Sequence, residues 1–123
     1  MDAPTIARAA AGARAAIGLA LLAAPGPVAK RWLGDVSERP GARVAISGLG
    51  GRDLALGLGT LWALGGRKRR PRPWLVASAG ADGADLVSTL RARAGLSIAA
   101  VVGTVAIAGG SAALHARLQS ELG

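Results

Sequence analysis

Four apolar segments separated by short polar connectors constrain the fold of this chain more than any other feature of its sequence. An α-helix needs about 20 residues to cross the hydrocarbon core of a membrane. The segment from Leu96 to Leu114 meets this length and holds no charged residue. We therefore predict an all-α fold, a four-transmembrane-helix bundle forming a single integral membrane domain over residues 1–123. Its predicted spans cover about residues 5–24, 42–65, 74–90 and 96–114.

The composition favours helices over strands in these segments. Ala and Leu dominate them, both are good helix formers, and no segment alternates between apolar and polar residues with a period of two. The 19 glycines would weaken helices in water. A membrane enforces helix even over residues of weak propensity, because the backbone must satisfy its own hydrogen bonds there.

Prolines and glycines mark the predicted connectors. Pro25 and Pro27 stop the first helix, and Gly65-Gly66 ends the second. Pro40 can open the second helix, and Pro71 or Pro73 the third. The stretch from Val28 to Val36 combines basic and apolar residues, which predicts a short helix lying in the membrane interface between the first two spans.

The basic residues predict the orientation. Lys and Arg number 15 against seven acidic residues, and the densest group is the connector Arg67-Lys68-Arg69-Arg70-Pro71-Arg72. Cytoplasmic loops carry an excess of Lys and Arg. We therefore predict a multi-pass protein of the cell inner (plasma) membrane with both termini in the cytoplasm. Trp62 and Trp74 bracket the basic connector, as expected at a membrane interface.

Several other classes of protein are disfavoured. The net charge of +8 would suit a nucleic-acid binder, but the basic residues sit in connectors and aromatic residues make up only 2%. The lack of cysteine and the single histidine disfavour thiolate metal sites and catalytic triads. We predict no enzyme activity, no cofactor and no metal. Two alternatives stay open: a cleaved secretory signal ending near Ala23-Ala24, and a reading frame that is not a real gene.

The informative residues are charged ones near the middle of the predicted spans. Arg52 and Asp53 lie at the midpoint of the second span, Asp82 and Asp85 near that of the third, and Arg14 near that of the first. A charge costs about 2.5–3.5 kcal/mol at the centre of a membrane helix. We therefore expect these five residues to meet as an intramembrane polar cluster, with arginines as donors and carboxylates as acceptors.

The cluster leaves two questions open. Two arginines face three carboxylates, so one hypothesis is that Asp82 or Asp85 holds a proton. The cluster could fix helix register, or it could form an ion, proton or ligand site. Ser78, Asp82, Asp85 and Thr89 share one helix face. Arg14 is the least constrained member, because a four-residue shift of its helix would let it reach the interface.

A stripe of small residues runs along the second span at intervals of four. It consists of Ser47, Gly51, Ala55, Gly59 and Ala63. Small residues let membrane helices approach closely, so we predict that this stripe is a helix-packing ridge. His115 follows the last predicted span and is expected to be a solvated interfacial residue.

The sequence resembles a family of short bacterial four-span integral membrane proteins of unknown function. The resemblance rests on the Ala24-Pro25 end of the first span, the stretch from Leu49 to Gly57 containing Gly51-Arg52-Asp53, and the acidic pair Asp82/Asp85. It implies a membrane location and no assigned activity.

The predicted function is that of a non-enzymatic membrane subunit. Its expected partners are the lipid bilayer, a second copy of the chain or a larger membrane protein, and no nucleic acid. The alternative is a small transporter or proton-linked carrier that uses Asp82, Asp85 and Arg52.

Overall fold

A computed structural model describes residues 1–122, which form helices and turns with no strand. Five α-helices account for most of these residues. They are α1 (Ala3–Ala23), α2 (Pro25–Leu33), α3 (Pro40–Leu64), α4 (Arg72–Ala92) and α5 (Ile98–Leu122). Short 3₁₀ turns follow α2 at Gly34–Glu38 and α4 at Arg93–Gly95. The all-α prediction is confirmed over the described residues.

Local signals explain where the helices begin and end. Proline lies at the first or second position of α1, α2, α3 and α4, where its missing N–H removes no helical hydrogen bond. Asp2 caps α1 by accepting a hydrogen bond from the Thr5 backbone N–H at 2.9 Å. Gly34 ends α2 with a φ of 67°, a conformation that residues with a side chain rarely adopt.

The four long helices form two pairs. α1 packs along α3, α4 packs along α5, and the two pairs touch each other much less. The bundle has two ends. The start of α1, the end of α3, the start of α4 and the end of α5 share one end, where Ala7, Leu75 and Leu118 form a small apolar cluster. At the opposite end, α2 helps to form a second cluster from Leu21, Ala29 and Ile46.

The structure supports the membrane prediction only in a coarser form. Two helices, α1 and α5, are long and apolar enough to cross a membrane. The helices α3 and α4 are long enough but not apolar enough. Each of these helices carries two charged residues near its middle, among glycine and other weakly apolar residues. A four-span bundle therefore stays a prediction.

Two elements differ from their predicted extents. The interfacial segment begins at Pro25 rather than Val28, directly after α1, and its last residues form the 3₁₀ turn. The last helix runs to Leu122, eight residues beyond the predicted limit of Leu114. Neither proline nor glycine interrupts the segment between Leu114 and Leu122, so nothing stops the helix where the apolar run ends.

Candidate charged site in the bundle interior

Arg14 connects α1 to the two other helices that carry acidic residues. Its Nη1 donates to Asp53 Oδ1 on α3 at 3.1 Å, and its Nη2 donates to Asp82 Oδ1 on α4. The Arg14 side chain is only 9% exposed. The side chain is therefore held among the helices. It does not extend toward the end of α1, as it would if the helix were shifted by four residues to bring Arg14 to the membrane interface.

Arg52 completes the network on its more exposed side. Its Nη1 and Nη2 donate to the two carboxylate oxygens of Asp85 at 2.9 and 2.7 Å, the bidentate arrangement that a guanidinium favours. Its Nε and Nη2 also donate to Asp53 Oδ1 at 3.2 and 3.0 Å. Asp53 thus lies between the two arginines and accepts from both.

The structure brings all five predicted residues into this one network. α1 and α3 contribute Arg14, Arg52 and Asp53, while α4 contributes Asp82 and Asp85 from adjacent helical turns. The network is therefore the main polar connection between the two helix pairs. It lies between the two apolar end clusters, where each contributing helix is near its midpoint.

Two residues of α5 join the network although the sequence analysis did not include them. Ser111 Oγ donates to Asp82 Oδ2 at 2.7 Å. His115 Nδ1 lies 2.8 Å from the Ser111 carbonyl oxygen and 3.6 Å from Asp82 Oδ2. The His115 side chain is only 3% exposed, so the prediction of a solvated residue is wrong.

The reason for the error is the length of α5. A helix ending at Leu114 would leave His115 in a tail, whereas α5 continues for two further turns. Ser111 then lies near the middle of the helix, at the depth of Asp82, and His115 follows one turn later on the same face. The sequence signal for this arrangement was the spacing of four between Ser111 and His115, which places both residues on one face of a helix.

The predicted polar face of α4 points mainly into the bundle. Ser78, Asp82 and Thr89 are buried and Asp85 is partly buried. Ser78 Oγ has no hydrogen-bond partner among residues 1–122. Within the same residues, no group of three His, Cys, Asp or Glu side chains is placed to hold a metal ion.

A cavity of about 610 Å³ adjoins the network. Its walls are the facing sides of α1 and α5, and its floor includes Arg14 and the three carboxylates. Arg31 and Trp32 of α2 lie at its opposite border, where Trp32 Nε1 donates to Thr104 Oγ1 at 3.1 Å. The volume is within the range of small-molecule binding sites in proteins.

The predicted packing ridge does not form one continuous contact surface. Gly51 has open space at the position of a Cβ, Ala55 is exposed, and Gly59 faces the Trp74 ring of α4. Ser47 is partly buried and Ala63 is fully buried. The closest approach of α1 and α3 uses other residues: a Cβ on Gly50 would lie 2.7 Å from the Gly18 carbonyl oxygen, and one on Gly57 would lie 2.6 Å from that of Ala11.

Comparisons with known proteins add no family to this description. No family model matches the chain, and neither a curated protein nor a solved structure matches it. The resemblance to four-span bacterial proteins therefore stays a prediction.

Proposed function

We propose that this chain is a small multi-pass integral membrane protein that acts without catalysis, as a subunit packing against itself or against a larger membrane protein. The proposal places α1, α3, α4 and α5 across the bacterial inner membrane and α2 in the interface. One observation carries it: the charges at the middle of the helices are buried or partly buried, while large apolar side chains along the same helices are exposed.

The exposed apolar residues lie along the four long helices. Ile17 and Leu19 of α1, Leu58 of α3, Val87 of α4 and Ile107 of α5 are each about half exposed or more. The buried apolar residues are mostly alanines. A water-soluble protein gains its stability from the opposite distribution.

The two most apolar helices support the same conclusion. In a water-soluble protein, a helix that is hydrophobic all round is buried in the core. Only 17% of the most apolar window of α5 is buried, and 33% of that of α1. Lipid or another membrane protein would cover the remaining surface.

A subunit role accounts for the exposed side of α5. Ile98, Val102 and Val105 follow one another at helical spacing on the outside of the molecule. Branched side chains at this spacing give a second helix a rigid surface to pack against.

Two measurements test the proposal. Membranes washed with alkaline carbonate should retain the protein, and detergent should release it. The mass of the protein part of the purified complex, after the bound detergent is subtracted, should then exceed that of one chain, through a second copy or a stoichiometric partner. Release by carbonate would contradict the membrane placement, and a single chain with no partner would contradict the subunit role.

The cavity beside the carboxylates favours a second candidate function, a small transporter or proton-linked carrier. A carrier needs water access to Asp82, whereas a packing site does not. A cysteine replacing Asp82 or Ser78 should then react with a water-soluble thiol reagent. The chain has no cysteine of its own, so any labelling reports the introduced one.

A further inference from the structure

We propose that the cavity between α1 and α5 binds an organic cation with an apolar body, such as a quaternary phosphonium or ammonium ion. This inference goes beyond the subunit role and requires no transport. It rests on the shape and charge of the cavity.

The charge of the cavity floor favours a cation. Three carboxylates, those of Asp53, Asp82 and Asp85, line it together with Arg14. Arg52 pairs with two of these carboxylates, so the network sets three carboxyl groups against two guanidinium groups. Every hydrogen bond that residues 1–122 donate to Asp53 goes to Oδ1, which leaves its Oδ2 free to face a further positive charge.

The arginines that line the cavity do not favour an anion. Both terminal nitrogens of Arg14 already donate to carboxylates. Arg31 at the opposite border is exposed, where water and salt screen its charge. An anion entering the cavity would therefore meet three carboxyl groups, and both terminal nitrogens of the buried Arg14 would already be engaged.

The walls favour an apolar body. Ala10, Ala13 and Ile17 line the α1 side, and Gly103 and Ile107 line the α5 side. These side chains offer no hydrogen bond, so they would match a weakly hydrated cation and not a small hydrated one. The Trp32 ring is held at the opposite border by its bond to Thr104, and aromatic rings attract cations.

An acyl chain of a lipid is the main competing occupant. It would cover the same walls, but it would bring no positive charge to the carboxylates. The charge of the ligand therefore separates the two occupants, and two probes of nearly the same shape differ in this property alone. Tetraphenylphosphonium is a cation and tetraphenylborate is an anion.

Glycines on α5 provide a matched pair of variants. Gly103 lines the cavity, and a Cβ there would meet nothing within 4 Å, so we expect Gly103→Leu to fill part of the cavity. Gly109 also has open space at its Cβ position but does not line the cavity. Gly109→Leu therefore controls for the added bulk and helix propensity.

The experiment is equilibrium dialysis of both probes against the full chain in mild detergent at neutral pH. We expect saturable binding of tetraphenylphosphonium, at least about tenfold tighter than that of tetraphenylborate, which corresponds to about 1.4 kcal/mol. Gly103→Leu should weaken the binding of the cation by at least about tenfold, and Gly109→Leu by less than about twofold.

Three results would overturn the inference. They are no saturable binding of the cation, equal affinity for the anion, and unchanged affinity in Gly103→Leu. A lipid that co-purifies with the unmodified chain, resists displacement by the cation and is lost from Gly103→Leu would identify an acyl chain as the occupant. None of these results depends on the number of protein chains in the complex, so the subunit proposal would fail or stand separately.

Discussion

Asp82 is the residue at which three helices of this protein meet. It lies on α4, accepts a hydrogen bond from Arg14 of α1, and accepts another from Ser111 of α5. His115 lies a further turn along α5, 3.6 Å from the same carboxylate. Burying a carboxylate without a partner costs free energy, and removing it would leave the buried Arg14 with one carboxylate partner fewer.

Replacing Asp82 with Asn should therefore destabilise the fold. Arg14 keeps Asp53 as a partner, so we expect a loss near the lower end for a broken buried pair, about 3 kcal/mol. The free energy of unfolding in mixed detergent micelles would measure it. Asp35→Asn is the control, because Asp35 is 94% exposed and pairs only loosely with Lys30 at 3.6 Å. Equal stability of the two variants would show that the network contributes nothing to the fold.

Ser111 offers a second test at the same carboxylate. Ser111→Ala removes the hydroxyl that donates to Asp82 and leaves a buried acceptor with one bond fewer, which should cost about 1–3 kcal/mol. The same unfolding experiment would measure the change. Ser120→Ala, on the exposed last turn of α5, should change stability by less than about 0.5 kcal/mol. A similar loss in both variants would contradict a special role for Ser111.

The five charged residues of the site could be predicted from the sequence, whereas the two residues that α5 contributes could not. Charged residues at the centre of apolar segments must meet partners, so Arg14, Arg52 and the carboxylates could be grouped without knowing the packing. Ser111 and His115 could not be grouped with them from their spacing of four alone. A serine is unremarkable in a membrane helix, and the position of His115 depended on where α5 ends.

At the scale of helices, α1 and α3 pack closely because glycines at their contact have no side chains to keep the two backbones apart. The backbones approach so closely at Gly18, Gly50 and Gly57 that a Cβ at any of them would overlap the partner helix. In the proposed membrane setting, close backbone contact of this kind would replace the hydrophobic effect, which does not act between helices within lipid.

This contact surface was harder to predict than the helices themselves. Proline and glycine mark most helix ends, so the predicted spans differ from α1, α3 and α4 by only a few residues. Small residues, in contrast, occupy several faces of α3, because glycine and alanine are so frequent in it. The spacing of four from Ser47 to Ala63 was one such face, and packing at Gly50 and Gly57 uses another.

Gly50 and its neighbour Gly51 provide a direct comparison of the two faces. Gly50→Ala would place a Cβ 2.7 Å from the Gly18 carbonyl oxygen and force α1 and α3 apart, at a cost of about 1–3 kcal/mol. Gly51→Ala meets nothing within 4 Å and should leave stability unchanged or raise it by up to about 1 kcal/mol. Thermal unfolding in detergent would measure both. The opposite order would mean that the predicted ridge is the contact surface.

The whole molecule is organised in layers along the bundle axis. An apolar cluster around Leu75 and Leu118 occupies one end, the charged network occupies the middle, and a second apolar cluster around Leu21 and Ile46 occupies the other end. This order follows from helices that are charged at their midpoints and apolar on both sides. It also places the start of α1, the end of α5 and the basic connector at the same end of the bundle.

The two ends of the bundle should lie on opposite sides of the membrane. Lys68 lies in the basic connector at the end shared by the chain termini, and Ala94 lies in the turn between α4 and α5 at the other end. Both residues are exposed, and the chain has no cysteine. Lys68→Cys and Ala94→Cys therefore report the position of each end without background.

We expect an impermeant maleimide to label Ala94→Cys in intact bacterial cells and to label Lys68→Cys only after the cells are permeabilised. The reason is that a loop dense in Lys and Arg stays in the cytoplasm. Labelling of Lys68→Cys alone in intact cells would keep the four spans and reverse the orientation. Labelling of both variants, or of neither, would contradict the four-span topology, because that topology places one span, α4, between the two residues and so puts them on opposite sides of the membrane.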